Sequence, residues 1–253
     1  MCLVVIAHTV INGRSTLVIA ANRDEYHERP AEALHWWPDH ADIAGGRDRR
    51  AGGTWLGVRR DGRFAAVLNG TAEQPPSAPR SRGELVTRWL TRPEPRAATL
   101  QGDAMAYAGF HCLLGDREQI HYLQRSSAAP CTVVAPVACG NGGIDAAGPR
   151  VERAASAVTS ACTVTSDPVP ELFAALADRS PPVTHTAGEG NDPEAVPGDT
   201  RPVFIVGEPF GTRCSSVVMI TPGHRAAFHE RRFDGQGGLV GERTLAWPLG
   251  SGG

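Results

Sequence analysis

Two apolar stretches open the chain, and a turn signal separates them. Residues 2–10 and 15–22 are rich in Val, Ile, Leu, Thr and Ala, a composition typical of β-strands. Asn12-Gly13 lies between them, and this dipeptide tolerates the two positive φ angles of a type I′ turn. The pattern therefore predicts a β-hairpin at the start of the chain.

The register of this hairpin decides which residues meet at its open end. A two-residue loop places Cys2 opposite Arg23. A loop one residue longer would place Cys2 opposite Asp24, and a loop one residue shorter opposite Asn22. In each register Cys2 meets the polar sequence Asn22-Arg23-Asp24-Glu25.

A second hairpin is predicted further along. Residues 54–60 and 63–70 flank Asp61-Gly62, another turn dipeptide. A two-residue loop here would pair Thr54 with Asn69, again at the open end of the hairpin.

Four stretches have the composition and apolar spacing of helices. Ser81 and Glu84 stand at capping-box spacing at the start of the first, and Pro168 and Pro170 stand at the entry to the last. The predicted helices cover residues 81–90, 96–107, 150–162 and 169–178.

The remaining pattern consists of strands and two irregular segments. A third hairpin is predicted over residues 110–124, residues 184–201 read as a loop, and the Gly-rich end, residues 235–253, is expected to fray. Hairpins, then helices, then strands favour a single α+β domain over residues 1–253. The other predicted strands cover residues 131–141, 202–207, 214–221 and 224–233.

The composition narrows the classes of function. The formal net charge is −2, which indicates no attraction to nucleic acid or to an anionic membrane. All 25 basic residues are arginine, so Schiff-base and P-loop lysines are excluded. This bias, together with the abundance of Ala, Gly and Pro, suggests a GC-rich bacterial genome.

Cysteine spacing and the apolar runs favour a cytoplasmic protein. The six cysteines are scattered without a CxxC pair, so free thiols are expected and a structural zinc site is not. His27, His35 and His40 lack a ligand spacing, and no metal is predicted. The apolar run at residues 3–7 is too short for a signal peptide, and no stretch approaches the roughly 20 residues of a membrane span.

Cys2 has the chemistry of an N-terminal nucleophile. Removal of Met1 would leave a free α-amine within one residue of the thiol, and its reference pKa of about 7.7–8.0 suits a general base. The predicted neighbour Arg23 would favour the thiolate. The alternative is an ordinary buried cysteine at the start of a core strand.

The opening of the chain resembles that of the NRDE family, the family of the transport and Golgi organisation protein two. The resemblance rests on MCLVVIA and AANRDEYHERP, and further matches follow in the family's order over most of the chain. They are GGTWLGV (52–58), SRGELV (81–86), YAGFHCLLGD (107–116), GNGG (140–143) and FGTRCSSVVMI (210–220).

This resemblance implies a fold and a set of site residues. The family is assigned to the N-terminal nucleophile hydrolases, whose fold is an αββα sandwich of two antiparallel sheets. In the related cysteine hydrolases of bile salts and penicillin V the site uses a Cys, an Arg, an Asp, two Asn and a late Arg. Their counterparts here would be Cys2, Arg23, Asp24 or Glu25, Asn69, Asn141 and Arg213.

Some of these residues also have plain structural explanations. Asn69 and Asn141 would donate to an oxyanion or make turn hydrogen bonds, and Arg213 would serve the site or pair with a structural carboxylate. The candidate binding residues are Asn22, Trp55, Trp36 and Trp37, and the last two would otherwise pack a loop against the sheet.

Two functions follow from the resemblance. The first is cleavage of a linear amide, or acyl transfer, through a Cys2 thioester and without a cofactor. The second is non-catalytic carriage of haem, acyl-CoA or a related lipid. Haem would need an axial ligand, which Cys2 or a histidine could supply.

Overall fold

The computed structural model describes residues 2–70, 79–116, 118–144, 148–164, 166–181 and 201–249. Thirteen strands in these residues form two sheets, and all hydrogen-bonded neighbours are antiparallel. The expected loop over 184–201 lies outside the described residues except for Arg201.

The first sheet contains six strands, and the hairpin that begins the chain lies within it. In spatial order the strands are β10 (Val137–Cys139), β1 (Cys2–Ile11), β2 (Arg14–Tyr26), β11 (Phe210–Thr221), β12 (Arg225–Phe233) and β13 (Leu239–Pro248).

The second sheet contains seven strands in simple chain order. They are β3 (Ala31–Trp36), β4 (Ile43–Asp48), β5 (Leu56–Arg59), β6 (Phe64–Asn69), β7 (Phe110–Gly115), β8 (Ile120–Gln124) and β9 (Cys131–Val133).

Helices cover the outer faces of both sheets. The helices of the described residues are α1 (Gly83–Thr91), α2 (Ala97–Gly102), α3 (Pro149–Ala161) and α4 (Val169–Leu176), with a short 3₁₀ turn at Ala104–Ala106. None of them is long and apolar enough to cross a membrane.

Strand alternation produces three apolar layers. Val4, Ile6 and Ile19 point between the sheets, whereas Leu3 and Val18 point toward α3 and α4. A third cluster joins the second sheet to α1 and α2. The order of layers is therefore helix, sheet, sheet, helix, and the predicted four-layer αββα sandwich is confirmed.

The first hairpin has the predicted turn and register. Asn12 and Gly13 have φ angles of 50° and 75°, as a type I′ turn requires. Cys2 pairs with Arg23.

The register predicted for the second hairpin is wrong by one residue. Leu56 pairs with Ala66, and the Arg59 N–H donates to the Arg63 carbonyl across a three-residue loop. Gly62 has a φ of 94°, the left-handed position that such a loop needs. Thr54 and Asn69 are therefore not partners, and Asn69 pairs with Phe110 on the other side of β6.

Two predicted strands are also wrong. Residues 131–141 divide into β9 and β10, which belong to different sheets, and Pro136 between them has no N–H for a ladder. Residues 202–207 form no strand, because the carbonyls of Pro202 and Val203 accept side-chain hydrogen bonds.

The C-terminal segment and two of the predicted helices differ from expectation. Residues 239–248 do not fray, because they pair with β12 as strand β13. Ser81 makes no side-chain cap, since α1 begins after Arg82 and the Glu84 carboxylate binds Arg80 instead. The helix predicted over 96–107 is the shorter α2 followed by the 3₁₀ turn.

Candidate active site

A cavity of about 420 Å³ opens between the sheets at the open end of the first hairpin. Gly53 and Gly83 bring the loop before β5 against the start of α1 at this cavity, and a Cβ on Gly53 would lie 2.8 Å from the Gly83 carbonyl carbon. Seven of the predicted site residues line it: Cys2, Arg23, Asp24, Glu25, Trp55, Asn69 and Arg213.

One row of cross-strand partners forms a wall of this cavity. Cys2 pairs with Arg23, Arg23 with Cys214, and Cys214 with Arg232. Directly paired residues share a face of the sheet, and this face is the one between the sheets. The thiol of Cys2 and the guanidinium groups of Arg23 and Arg232 therefore belong to the same wall.

Alternation along β2 sorts the four polar residues of the motif. Arg23 and Glu25 share the inner face, and their side chains form an ion pair at 3.6 Å. Asn22 faces the helices instead. Its Nδ2 donates to the Leu176 and Val203 carbonyls, and its Oδ1 accepts from Ser215. Asn22 therefore holds β2 to the helical layer and does not line the cavity.

The Asp24 carboxylate also faces the helical layer. It binds Arg150 of α3 at 2.6 Å, and this ion pair is almost fully buried. Its other oxygen accepts from the Thr212 hydroxyl at 2.6 Å. Asp24 contributes to the cavity wall, but its carboxylate is committed to partners behind that wall.

Strand β11 contains a β-bulge at Arg213, where its register with β2 shifts by one residue. Thr212 pairs with Asp24 and Cys214 pairs with Arg23, so Arg213 is the extra residue. Its Nη1 donates to the carbonyls of Tyr26, His27 and Arg29. Arg213 therefore fixes the end of β2 while its side chain lines the cavity.

Asn141 lies in a tight turn and also contacts Cys2. The Gly140 and Gly143 backbones bond each other across the turn, and the Asn141 carbonyl lies 3.0 Å from His111 Nε2. The Asn141 Oδ1 accepts from the Cys2 backbone nitrogen at 3.2 Å. The turn explanation and the site explanation for this residue are thus compatible.

Asn69 enters the cavity from the second sheet. It ends β6, and no described residue bonds its side-chain amide. The amide is consequently available to a bound ligand.

The three candidate tryptophans separate. Trp55 lines the cavity. Trp36 packs edge-on against Trp247 and under Arg60, and buried Trp37 donates from Nε1 to the Gly45 carbonyl. Trp36 and Trp37 do not line this cavity, and both pack within the fold, as the alternative explanation expected.

The family model described as Transport and Golgi organisation 2 matches residues 1–235. The chain belongs to this family. The Transport and Golgi organization protein 2 homolog of Homo sapiens is 37% identical over 106 residues, 40% of this chain and 38% of that protein. The Drosophila melanogaster protein is 35% identical over 86 residues, 32% and 30% of the two chains. The matches thus span less than half of these relatives.

Two solved structures resemble this Transport and Golgi organisation 2 family member. A mutant conjugated bile acid hydrolase of Clostridium perfringens has a TM-score of 0.44 and 7% identity, over 99% of this chain and 98% of that chain. A Caenorhabditis elegans N-acylethanolamine-hydrolyzing acid amidase ortholog has a TM-score of 0.42 and 11% identity, over 85% and 92%.

Burial is the largest influence on the pKa of Cys2 in this family member. It raises the pKa of the Cys2 thiol, and the Asp24 carboxylate raises it further, whereas Arg23 and the Asp24 backbone N–H lower it. Burial also raises the pKa values of Cys112, Cys139 and Cys214. An unassisted Cys2 would therefore hold its proton at neutral pH, and a nearby base would be needed to remove it.

Sequence reasoning missed three charged residues around this site. Arg232 and Glu230 line the cavity from β12, and Arg150 binds Asp24 from behind. Burial raises the pKa of the Glu230 carboxyl, and the Leu34 backbone N–H donates to it at 2.9 Å. Alternation along β12 placed Glu230 and Arg232 on one face, but no local signal indicated which face that was.

Replacing Arg23 with Gln should move the pH midpoint of Cys2 alkylation upward. Arg23 lowers the pKa of the thiol, so loss of its positive charge disfavours the thiolate. Rates of iodoacetamide labelling across a pH series, read by peptide mass spectrometry, measure this midpoint. Arg231→Gln is the control, since the Arg231 guanidinium lies over Phe173 on the helical side. An unchanged or lower midpoint in Arg23→Gln would contradict the role given to Arg23.

Proposed function

We propose that this protein is an N-terminal cysteine hydrolase that cleaves a linear amide, or transfers its acyl group, through a thioester on Cys2. One observation carries the proposal. The Cys2 thiol belongs to the cavity wall beside Arg23, and the Cys2 nitrogen lies 3.2 Å from Asn141 Oδ1. Removal of Met1 would convert that nitrogen into an α-amine held next to its own thiol.

The α-amine would act first as a general base. It takes the proton from Sγ, and Sγ attacks the carbonyl carbon of the amide. Because burial raises the pKa of Cys2, this transfer supplies a thiolate that the environment alone does not. Asn141 Oδ1 accepts an N–H of the amine and so orients its lone pair toward the thiol.

Two side-chain amides would stabilise the oxyanion, one from Asn69 in the cavity wall and one from Asn141 beside the Cys2 nitrogen. Asn141 has committed its Oδ1 to Cys2, which leaves its Nδ2 as a donor, and the Asn69 amide has no partner among the described residues. Loss of one such donor costs roughly 3 kcal/mol of barrier in other acyl-transfer enzymes.

Collapse of the tetrahedral intermediate completes the first half-reaction. The carbon–nitrogen bond breaks, and the protonated α-amine gives its proton to the leaving nitrogen. The amine then takes a proton from water, or from an acceptor amine, as that group attacks the thioester. The thiol leaves with a proton, and a carboxylic acid or a new amide is released.

Peptide mapping after brief treatment with sub-stoichiometric iodoacetamide tests the proposal. We expect Met1 to be absent and the label to concentrate on Cys2 over Cys131, which is the exposed cysteine. Burial alone would make Cys2 the slower of the two, so faster labelling requires activation by the α-amine and Arg23. Retained Met1, or faster labelling of Cys131, would count against the nucleophile.

Non-catalytic carriage of haem or acyl-CoA gives the opposite pattern. Cys2 would then label no faster than Cys131, and titration with haem would shift the Soret band. An unshifted Soret band, together with selective Cys2 labelling and amide turnover, would reject carriage of haem in favour of catalysis.

A further inference from the structure

We propose that the substrate carries an anionic group, a carboxylate or a phosphate, on its acyl portion, and that Arg232 binds this group. The inference deepens the proposed function and rests on it for the position of the acyl carbonyl at Cys2. It assigns a binding role to a residue that the sequence reasoning did not single out.

Arg232 lies at a definite distance from the thiol. The paired row runs from Cys2 through Arg23 and Cys214 to Arg232 and crosses three strand spacings. Neighbouring strands lie about 4.8 Å apart, so the two Cα atoms at the ends of the row are about 14 Å apart. A substrate with its carbonyl at Cys2 and an extended acyl chain along the row would bring its far end to Arg232.

The Arg232 guanidinium is weakly engaged within the protein. Its hydrogen bond among the described residues runs from Nη2 to the Ala31 carbonyl at 3.4 Å, and the same residues give it no ion pair. Two other arginines of the cavity are neutralised directly. Arg29 binds Asp48 and Arg47 binds Asp39, each at 2.7 Å. Arg232 thus presents donors to the cavity that no described carboxylate occupies.

Arg23, Arg213 and Arg232 outnumber the two carboxylates that face them, Glu25 and Glu230, and burial raises the pKa of Glu230. Glu25 is shared between Arg23 at 3.6 Å and Arg29 at 3.8 Å. Burial is the main cause that lowers the pKa of Arg213, and repulsion from Arg23 and Arg232 lowers it further. The three cations therefore lie close enough to repel one another. A partly enclosed wall with unbalanced cations attracts an anion.

The chemistry of arginine defines the group that fits. A guanidinium offers parallel N–H donors that match the two oxygens of a carboxylate or a phosphate. The remaining cavity wall includes Trp55 and Val67, which suit an apolar chain between the carbonyl and the anion.

Matched thiol reagents test the inference without knowledge of the substrate. Maleimidohexanoate carries a carboxylate on an alkyl arm, and its methyl ester is the neutral counterpart. Both add to a thiol, and exposed Cys131 corrects for their intrinsic reactivities. We expect the acid to label Cys2 at least about tenfold faster than the ester relative to Cys131, and added salt to weaken this preference.

Two variants on β12 assign the preference to a side chain. Arg232→Gln should reduce it to within about twofold, and Arg232→Lys should retain part of it, because the charge remains while the fork is lost. Arg231→Gln also removes one positive charge, but from the helical face, and should leave the preference intact. An equal rate for acid and ester in the wild-type protein, or a preference that survives Arg232→Gln, would overturn the inference.

Competition in the wild-type protein gives a test that needs no variant. Inorganic phosphate or hexanoate should slow labelling by the acid and spare labelling by the ester, and the better competitor identifies which anion is preferred. Competition by neither would overturn the inference. Amide turnover without any charge preference would reject the anion site alone, whereas charge preference without turnover would reject only the proposed function.

Discussion

Cys2→Ala should abolish amide turnover and the thioester that precedes it. The variant loses the sulfur that attacks the carbonyl, and loss of the nucleophile in a serine protease costs about 10⁶ in kcat. The fold should persist, because Cys2 is only partly buried at the margin of the core between the sheets. Initial rates on the amide that screening identifies, with intact mass after an acid quench, measure both losses.

Two further variants separate the nucleophile from general effects of cysteine replacement. Cys2→Ser keeps a hydroxyl beside the α-amine and should retain a small fraction of the turnover, with an ester in place of the thioester. Cys131→Ala removes an exposed thiol on β9 and should behave as the wild-type protein does. Undiminished turnover by Cys2→Ala would refute the mechanism, whatever the other two variants do.

The sequence could predict that Cys2 lies beside Arg23, because one short turn determines this pair. Asn12-Gly13 admits two positive φ angles, a two-residue loop fixes the register, and the register brings Cys2 to Arg23. Each step uses neighbours in sequence, so no distant contact was needed to anticipate this pair.

The second hairpin shows how a similar signal fails. Asp61-Gly62 suits a two-residue loop, but only Gly62 takes a positive φ, and Arg60 joins a three-residue loop. Local sequence admits both loops. The choice shifted the β5–β6 register by one residue, so Thr54 and Asn69 are not partners.

Residues far apart in sequence determined the rest of the site. Asn22 and Asp24 face the helices because Val203 and Arg150 meet them there, more than a hundred positions away in the chain. The bulge at Arg213 and the inward face of Arg232 depend on how β11 joins β2 and β12. Such pairings carry no local signature, so the motif indicated a site without revealing which of its side chains enter the cavity.

Asp24→Asn should destabilise the protein by about 3–5 kcal/mol, because it removes one charge from a buried ion pair and leaves the Arg150 guanidinium buried. The two side chains are 0% and 1% exposed, and Arg150 also donates to the Pro202 and Val203 carbonyls, so it is held in place and cannot reach solvent. Urea unfolding with an unchanged m-value measures the loss in the free energy of unfolding.

The exposed pair of Asp39 with Arg47 is the matched control, because its bond length of 2.7 Å is similar while Asp39 is half exposed. Asp39→Asn should therefore cost much less than Asp24→Asn. The double variant Asp24→Leu with Arg150→Met should recover most of the loss, because it removes both buried charges together. A change below about 1 kcal/mol in Asp24→Asn would mean that Arg150 finds another anion or water. Such a result would contradict the conclusion that Asp24 serves mainly to join β2 to the helical layer.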